Sequence, residues 1–279
     1  MRTRRRASAL VTTTLAVACL AAATPLAVSA AATSTPEEAA QIAPYFNVIA
    51  HRGATGETVT ENTVPAFASA LAQGADAIEF DVRRTSDGRG VVLHDATLNR
   101  TTTCRGWVSH RTLGHIKRRC RGIRGGEPIV GLNRVLDWAV GNELGLMLEL
   151  KHSPKNPWTE SDVATMLAAA ETRGLLARTV VLSFSAPVLR LVERVAPAVR
   201  TQAIARTADQ IPALAAEFDG VNVRAFDLDT DTVLALQGQG ALLLGRITND
   251  PLAWAHLRDL GVTGLLTDVV PDYLFWAGQ

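Results

Sequence analysis

The chain has 279 residues, 47% of them hydrophobic and 20% charged, with 28 basic against 27 acidic side chains. That length and apolar share suit one domain of barrel size with a sizeable core. The near-neutral balance excludes broad binding to nucleic acid or to anionic membrane, both of which need a strongly basic surface.

Arg2, Arg4, Arg5 and Arg6 precede an apolar, alanine-rich run from Ala7 to Val28, and Val28-Ser29-Ala30 offers small residues for cleavage. This order predicts a secretory signal peptide over residues 1–30, and hence a secreted protein. The alternative is a membrane anchor, but the run is rich in Ala and Thr, and no stop-transfer pattern follows. Taking four arginines and no acid from 28 and 27 leaves 24 against 27, a mature charge of about −3. Residues 31–44 are small, polar and proline-containing and read as a mobile leader, so a single domain is expected over residues 45–279.

Val48-Ile49-Ala50 is the first strand and ends at His51-Arg52-Gly53. A loop rich in Gly and Thr follows, then Asn62 or Thr63 caps a helix that tolerates Pro65 in its first turn and stops at Gly74. Glu61 stands between two roles, as part of the cap or as a member of a site. The second strand, Ala77 to Asp81, has period-two alternation. It puts Glu79 and Asp81 on one face, within reach of one ion, while Ile78 and Phe80 pack behind. Only nine residues, including the turn signal Asp87-Gly88, separate Asp81 from the next apolar run, Val91 to Leu93, too few for a crossover helix. That run ends at His94-Asp95, where Asp95 either orients the histidine or caps a turn.

The stretch from about 97 to 144 reads as a long insertion. It holds Cys104 and Cys120, which in a secreted chain most simply pair with each other. Seven basic residues, Arg105, Arg111, Lys117, Arg118, Arg119, Arg121 and Arg124, surround that pair, either as a rim that attracts anions or as a solvated, disulfide-stapled flap. Leu144 to Leu150 is the next strand, with Glu149 and Lys151 one alternation apart. Beyond it strands and helices alternate to the C-terminus: a helix capped by Thr159 and Asp162, and a strand over Val180–Ser183. Further strands follow at Thr201–Ile204, Val221–Val223 and Leu242–Ile247, and a last one over Gly264–Leu266. Nine extended runs stand where a closed α/β barrel needs eight, so one lies off the barrel. Phe184, Phe226 and Trp276 read as core residues or as apolar wall.

The polar groups emerge where buried strands end, the edge on which α/β barrels build their sites. Two histidines and a group of carboxylates there supply proton transfer and a hard-cation site, and Arg52 supplies a fixed positive charge. The order His51-Arg52-Gly53, Glu61-Asn62-Thr63, Glu79-x-Asp81, Asp87-Gly88, His94-Asp95, Thr97-Leu98-x-Arg100-Thr101-Thr102 and Glu149-Leu150-Lys151 resembles the glycerophosphodiester phosphodiesterase family. The resemblance implies an α/β fold, a (β/α)8 TIM barrel of the phospholipase C-like phosphodiesterase type, with an insertion between strands 3 and 4. It implies hydrolysis of a small-molecule glycerophosphodiester to glycerol 3-phosphate and an alcohol. It also implies His51 and His94 as acid and base, and one divalent cation on Glu79, Asp81 and Glu149. Arg52 and Lys151 would hold the phosphate. Calcium suits an all-oxygen extracellular site, with magnesium as the alternative. The tryptophan usual in the family's penultimate strand is replaced here by Arg246. Two other readings stay open. One is a lysophospholipase D or sphingomyelinase D-like enzyme, which needs a broad apolar rim. The other is a non-catalytic phosphodiester-binding protein, which would tolerate loss of a histidine.

Overall fold

The computed structural model describes residues 46–278 apart from Thr263, and the segments read above as a signal peptide and a leader lie outside the described residues. Nine strands follow in chain order: β1 (Val48–Ala50), β2 (Ala77–Arg84), β3 (Gly90–Val92), β4 (Gly145–Leu150), β5 (Thr179–Ser183), β6 (Arg200–Ile204), β7 (Gly220–Val223), β8 (Leu242–Gly245) and β9 (Gly264–Thr267). Eight of them pair in parallel, and the ring closes because β1 bonds to both β2 and β9. The ninth is β3, which runs antiparallel on β2 with Val82 opposite Val92. The extended run in excess of the barrel is therefore the one with no room for a crossover helix.

The strands are short, apolar and buried on both faces, as parallel strands under helices must be. Alternate residues divide between two layers. Ile49, Ala77, Met147, Val180, Leu182, Ile204, Leu244 and Leu266 fill the barrel interior. Their neighbours Ala50, Ile78, Phe80, Leu146, Leu148 and Val181 face the surrounding helices, and Val221, Leu243 and Leu265 do so on the other side. Near the floor of the barrel, a Cβ at Gly145 would lie 2.0 Å from the Phe46 ring, so that ring can pack there only against glycine.

The helices begin where the sequence offers caps. Thr63 accepts a hydrogen bond from the Ala66 amide at the start of α1 (Val64–Ala72). The short helix α2 (Leu113–Arg119) lies in the insertion, and α3 (Leu132–Val140) directly precedes β4. The expected insertion to 144 thus ends earlier. Leu132, Val135, Leu136 and Ala139, spaced i, i+3, i+4 and i+7, form the buried face of an outer-ring helix. Thr159 and Asp162 form a reciprocal capping box on α4 (Glu160–Glu171). Helices α5 (Ala186–Val195), α6 (Ile211–Glu217), α7 (Thr230–Gln237), α8 (Pro251–Asp259) and α9 (Val270–Ala277) complete the ring. No helix of the described residues is long and apolar enough to cross a membrane.

The remainder of the insertion has a small core of its own. Val91, Leu93, Leu98, Val108, Ile116 and Ile129 are buried together with Cys120. Cys120 is bonded to Cys104, with their Cα atoms 5.3 Å apart. Several flap arginines turn inward onto main-chain carbonyls, Arg105 on Asn99 and Thr102, Arg121 on Lys117 and Cys120, and Arg124 on Gly56. Arg111, Lys117, Arg118 and Arg119 are exposed. His110 and His115 are exposed.

Candidate active site

The alternation that fills the barrel also builds the site. Continuing each inward register beyond the strand ends brings His51 after β1, Glu79 and Asp81 on β2, and Glu149 with Lys151 at the end of β4. On the other side it brings Phe184, Arg206, Asn222 and Arg246 at the ends of β5 to β8. Most of these line one cavity of about 410 Å³ with His94, which arrives from β3. The turn after β1 is tight. Arg52 sits at φ 58°, and Gly53 at φ 79°, where a Cβ would meet the Ala66 carbonyl carbon at 2.7 Å. In that turn the Arg52 amide donates to Glu79 Oε2 at 3.0 Å.

Glu79, Asp81 and Glu149 are buried, and each offers an oxygen within 4.8 Å of the others. Asp81 stands opposite Glu149 in the register of β2 and β4. Burial, reinforced by the Asp81 and Glu149 charges, pushes the Glu79 carboxyl well above the ordinary range. Burial also raises Glu149. Burial would raise Asp81 too, but the Lys151 ammonium, His94 and Arg52 outweigh it and hold that carboxyl low. Lys151 Nζ lies 2.8 Å from Asp81 Oδ1 and 2.7 Å from Glu149 Oε1. A buried, all-oxygen, mutually repelling set of three carboxylates, compensated here by one ammonium, fits a hard divalent cation.

Each histidine has its Nδ1 fixed by a carboxylate, which leaves Nε2 for the cavity. His51 Nδ1 is 2.7 Å from Asp268 Oδ1, and His94 Nδ1 is 2.8 Å from Asp95 Oδ1. Asp95 therefore orients the histidine. Burial is the main reason the His94 imidazole is harder to protonate than usual, with Asp81 and Asp95 opposing it. Arg100 grips Asp95 through Nε and Nη2, both at 2.9 Å, and Glu61 through Nη1 at 2.7 Å and Nη2 at 2.8 Å. Glu61 also accepts from Arg52 Nη1 at 3.0 Å. Glu61 is thus no part of the cap; it ties Arg52 through Arg100 to the orienting carboxylate of His94.

Sequence reasoning did not assign four supporting residues. Asp268 directly follows β9, so the strand-end rule that found His51 also points to it, but its partner lies 217 positions away. Asn249 fixes that carboxylate, donating from Nδ2 at 2.8 Å. Asn62, read as a possible cap, instead bonds Asp81 twice, donating to Oδ2 at 2.8 Å and accepting from its amide at 3.0 Å. Arg83 Nε donates to the His94 carbonyl at 2.5 Å and holds the end of the hairpin. Of the three aromatic residues, Phe184 lines the cavity, Phe226 is 67% exposed against His256, and Trp276 stacks on Tyr273. Phe184 and Trp276 pack part-buried against the core, and only Phe226 lies outside it.

Comparison with known proteins decides the family. Residues 51–271 match the glycerophosphoryl diester phosphodiesterase family. The chain belongs to that family. A glycerophosphodiester phosphodiesterase of Bacillus altitudinis is 31% identical over 237 residues, covering 81% of this chain and 95% of its own length. The crystal structure of a glycerophosphodiester phosphodiesterase from Agrobacterium tumefaciens superposes with a TM-score of 0.69 at 26% identity, covering 84% of this chain and all of that one. An Oleispira antarctica phosphodiesterase, solved with its product sn-glycerol-3-phosphate, shares the fold at a TM-score of 0.70 and 22% identity over 86% of this chain and 99% of its own. The glycerophosphodiester phosphodiesterase barrel expected from the motifs is therefore the barrel found, and the chain is an enzyme of phosphoric diester hydrolysis.

Proposed function

We propose that this glycerophosphodiester phosphodiesterase works outside the cytoplasm and uses His51 and His94 as its proton-transfer pair beside a divalent cation. The observation that carries the reading is the matched pair of imidazoles, each with Nδ1 held by a carboxylate and both lining the cavity beside Glu79 and Glu149. Arg52 and Lys151 bind non-bridging phosphate oxygens as charge-assisted donors. One imidazole takes the proton from the substrate's glycerol hydroxyl as its oxygen attacks phosphorus. The other gives a proton to the departing alkoxide as the phosphorus–oxygen bond to the alcohol breaks. Water then opens the resulting cyclic phosphate with the two roles exchanged, giving glycerol 3-phosphate. A cation held by Glu79, Asp81 and Glu149 would neutralise the phosphate and lower the hydroxyl's pKa, and calcium is the ion we assign, with magnesium the alternative. The arginine-then-alanine leader and the disulfide between Cys104 and Cys120 support secretion.

The test is release of glycerol 3-phosphate from glycerophosphocholine with calcium, with magnesium and with EDTA, beside His51→Ala and His94→Ala. Each variant should lose about 10²- to 10⁴-fold in kcat, the share typical of one proton-transfer group. Folded, metal-loaded protein that releases nothing from this or any other phosphodiester would refute the reading. Full activity in EDTA would refute its metal.

A further inference from the structure

The cavity has two chemically different walls. Strands β1, β2 and β4 contribute the histidine, the carboxylates and Lys151, and β5 to β8 contribute Phe184, Arg206, Asn222, Arg246 and Ile247. On the second wall the Arg206 guanidinium carbon lies 4.5 Å from the centre of the Phe184 ring, and that of Arg246 lies 5.4 Å from it. Among the described residues Phe184 is the one phenyl or indole ring lining the cavity, the group a quaternary ammonium would seek, and it is already held by two cations. Arg246 is anchored through Nη1 to the Ala205 carbonyl at 3.1 Å, which fixes its position and leaves its charge unpaired. Among the described residues neither guanidinium forms an ion pair. The carboxylates in the field of Arg246 are engaged elsewhere: Asp227 accepts from Arg224 at 2.9 Å, and Glu149 meets Lys151 at 2.7 Å. Asn222, 1% exposed at the cavity wall, has its Oδ1 buried without a partner, an acceptor waiting for a donor such as a hydroxyl.

We propose that this wall is a subsite for the departing alcohol and selects alcohols that carry both hydroxyl groups and a phosphate over cationic alcohols of the choline type. The proposal rests on the phosphodiesterase reading above and adds its substrate class. With the scissile phosphate held between Arg52 and Lys151, the alcohol must extend toward the opposite wall. There two free guanidinium groups meet a second anion, and the Asn222 carbonyl accepts from a hydroxyl. A trimethylammonium group in the same place would face two like charges and find no exposed aromatic face.

The experiment compares kcat/KM on glycerophosphoinositol 4-phosphate, a short glycerol phosphate oligomer and glycerophosphocholine, for the full chain and for Arg206→Gln, Arg246→Gln and the double variant. The quantity read is the ratio of anionic to choline substrate, because partial misfolding lowers both activities together and leaves the ratio unchanged. For the natural chain the better of the two anionic substrates should exceed the choline substrate by about tenfold or more, the worth of one charge-assisted contact. Which of the two is better tells a small phosphorylated polyol from a polymer. The double variant should reduce the ratio by about tenfold or more, Arg246→Lys should retain part of it, and added salt should lower it in the natural chain. A natural ratio near or below one, or a ratio unchanged in the double variant, would overturn the proposal while glycerophosphocholine is still cleaved. Cleavage of none of the diesters would overturn it together with the phosphodiesterase reading.

Discussion

Replacing Asp268 by Ala isolates one hydrogen bond of the proposed machinery. The carboxylate touches neither the acidic centre nor the cavity floor; it acts through the 2.7 Å bond to His51 Nδ1 and is itself fixed by Asn249 at 2.8 Å. Burial raises its pKa, but the bonds from His51 and Asn249 outweigh that and hold it ionised below the ordinary carboxylate range. The bond is therefore charge-assisted, of the class that contributes about 1.5–3 kcal/mol. At about 1.4 kcal/mol per factor of ten, its loss predicts a fall of about 10- to 150-fold in kcat, since the imidazole loses both its fixed orientation and its stabilising anion. KM should change by less than about threefold, because the phosphate donors Arg52 and Lys151 are untouched. Steady-state kinetics on one diester, with circular dichroism to confirm the fold, measures this. Asn249→Ala, which leaves the bond to His51 in place while removing the donor to the carboxylate and the acceptor for the Asp268 amide and the Thr267 hydroxyl, should cost less in kcat. A variant with natural kcat, or with its loss confined to KM, would refute the positioning role.

Three further outcomes follow from local geometry. Gly53→Ala should destabilise the chain severely in urea titration, because it adds a Cβ at positive φ 2.7 Å from backbone that cannot move aside. Removing the disulfide by Cys104→Ala with Cys120→Ala opens a loop of sequence separation 16 and should cost about 3 kcal/mol in the same titration. Burial alone would raise the Asp162 carboxyl, but the bonds from Arg84 at 2.8 Å and from both polar groups of Thr159 together outweigh it and hold its pKa below the ordinary value. Its contribution is complete above the unfolded value of about 3.9 and disappears as pH falls through the lower folded value. Asp162→Asn should therefore be less stable than the natural chain at pH 7, and the gap should close in acid.

Much of the site is legible because one physical rule, inward alternation continued to the strand end, locates His51, Glu79, Asp81, Glu149 and Lys151 without any knowledge of tertiary contacts. The surplus extended run was also legible, since nine residues cannot span a crossover. Roles set by distant partners were not. Glu61 and Asn62 sit where a helix cap is expected, and only the folded chain shows that Thr63 caps alone, leaving one neighbour for two arginines and the other for Asp81. Asp268 carries the strand-end signal, but the sequence gives no means of matching it to His51. The helix α3 was concealed by the long segment around it, although its 3.6-residue period is plain once that segment is divided at Gly131.

The hairpin that brings β3 back along β2 seats the two imidazoles on different supports. His51 rises from the barrel wall, whose pairing spans the whole ring. His94 follows Leu93, a member of the small core that the insertion shares with β3. Opening that core breaks its own buried cluster, the packing of Val92 against the barrel's outer layer and the short β2–β3 ladder, and leaves the eight parallel strands paired. Such a sub-global opening has a lower free energy than unfolding of the ring. On the two-histidine reading such an opening displaces His94 and leaves His51 in place, so the expected outcome on heating is loss of activity ahead of melting of the barrel.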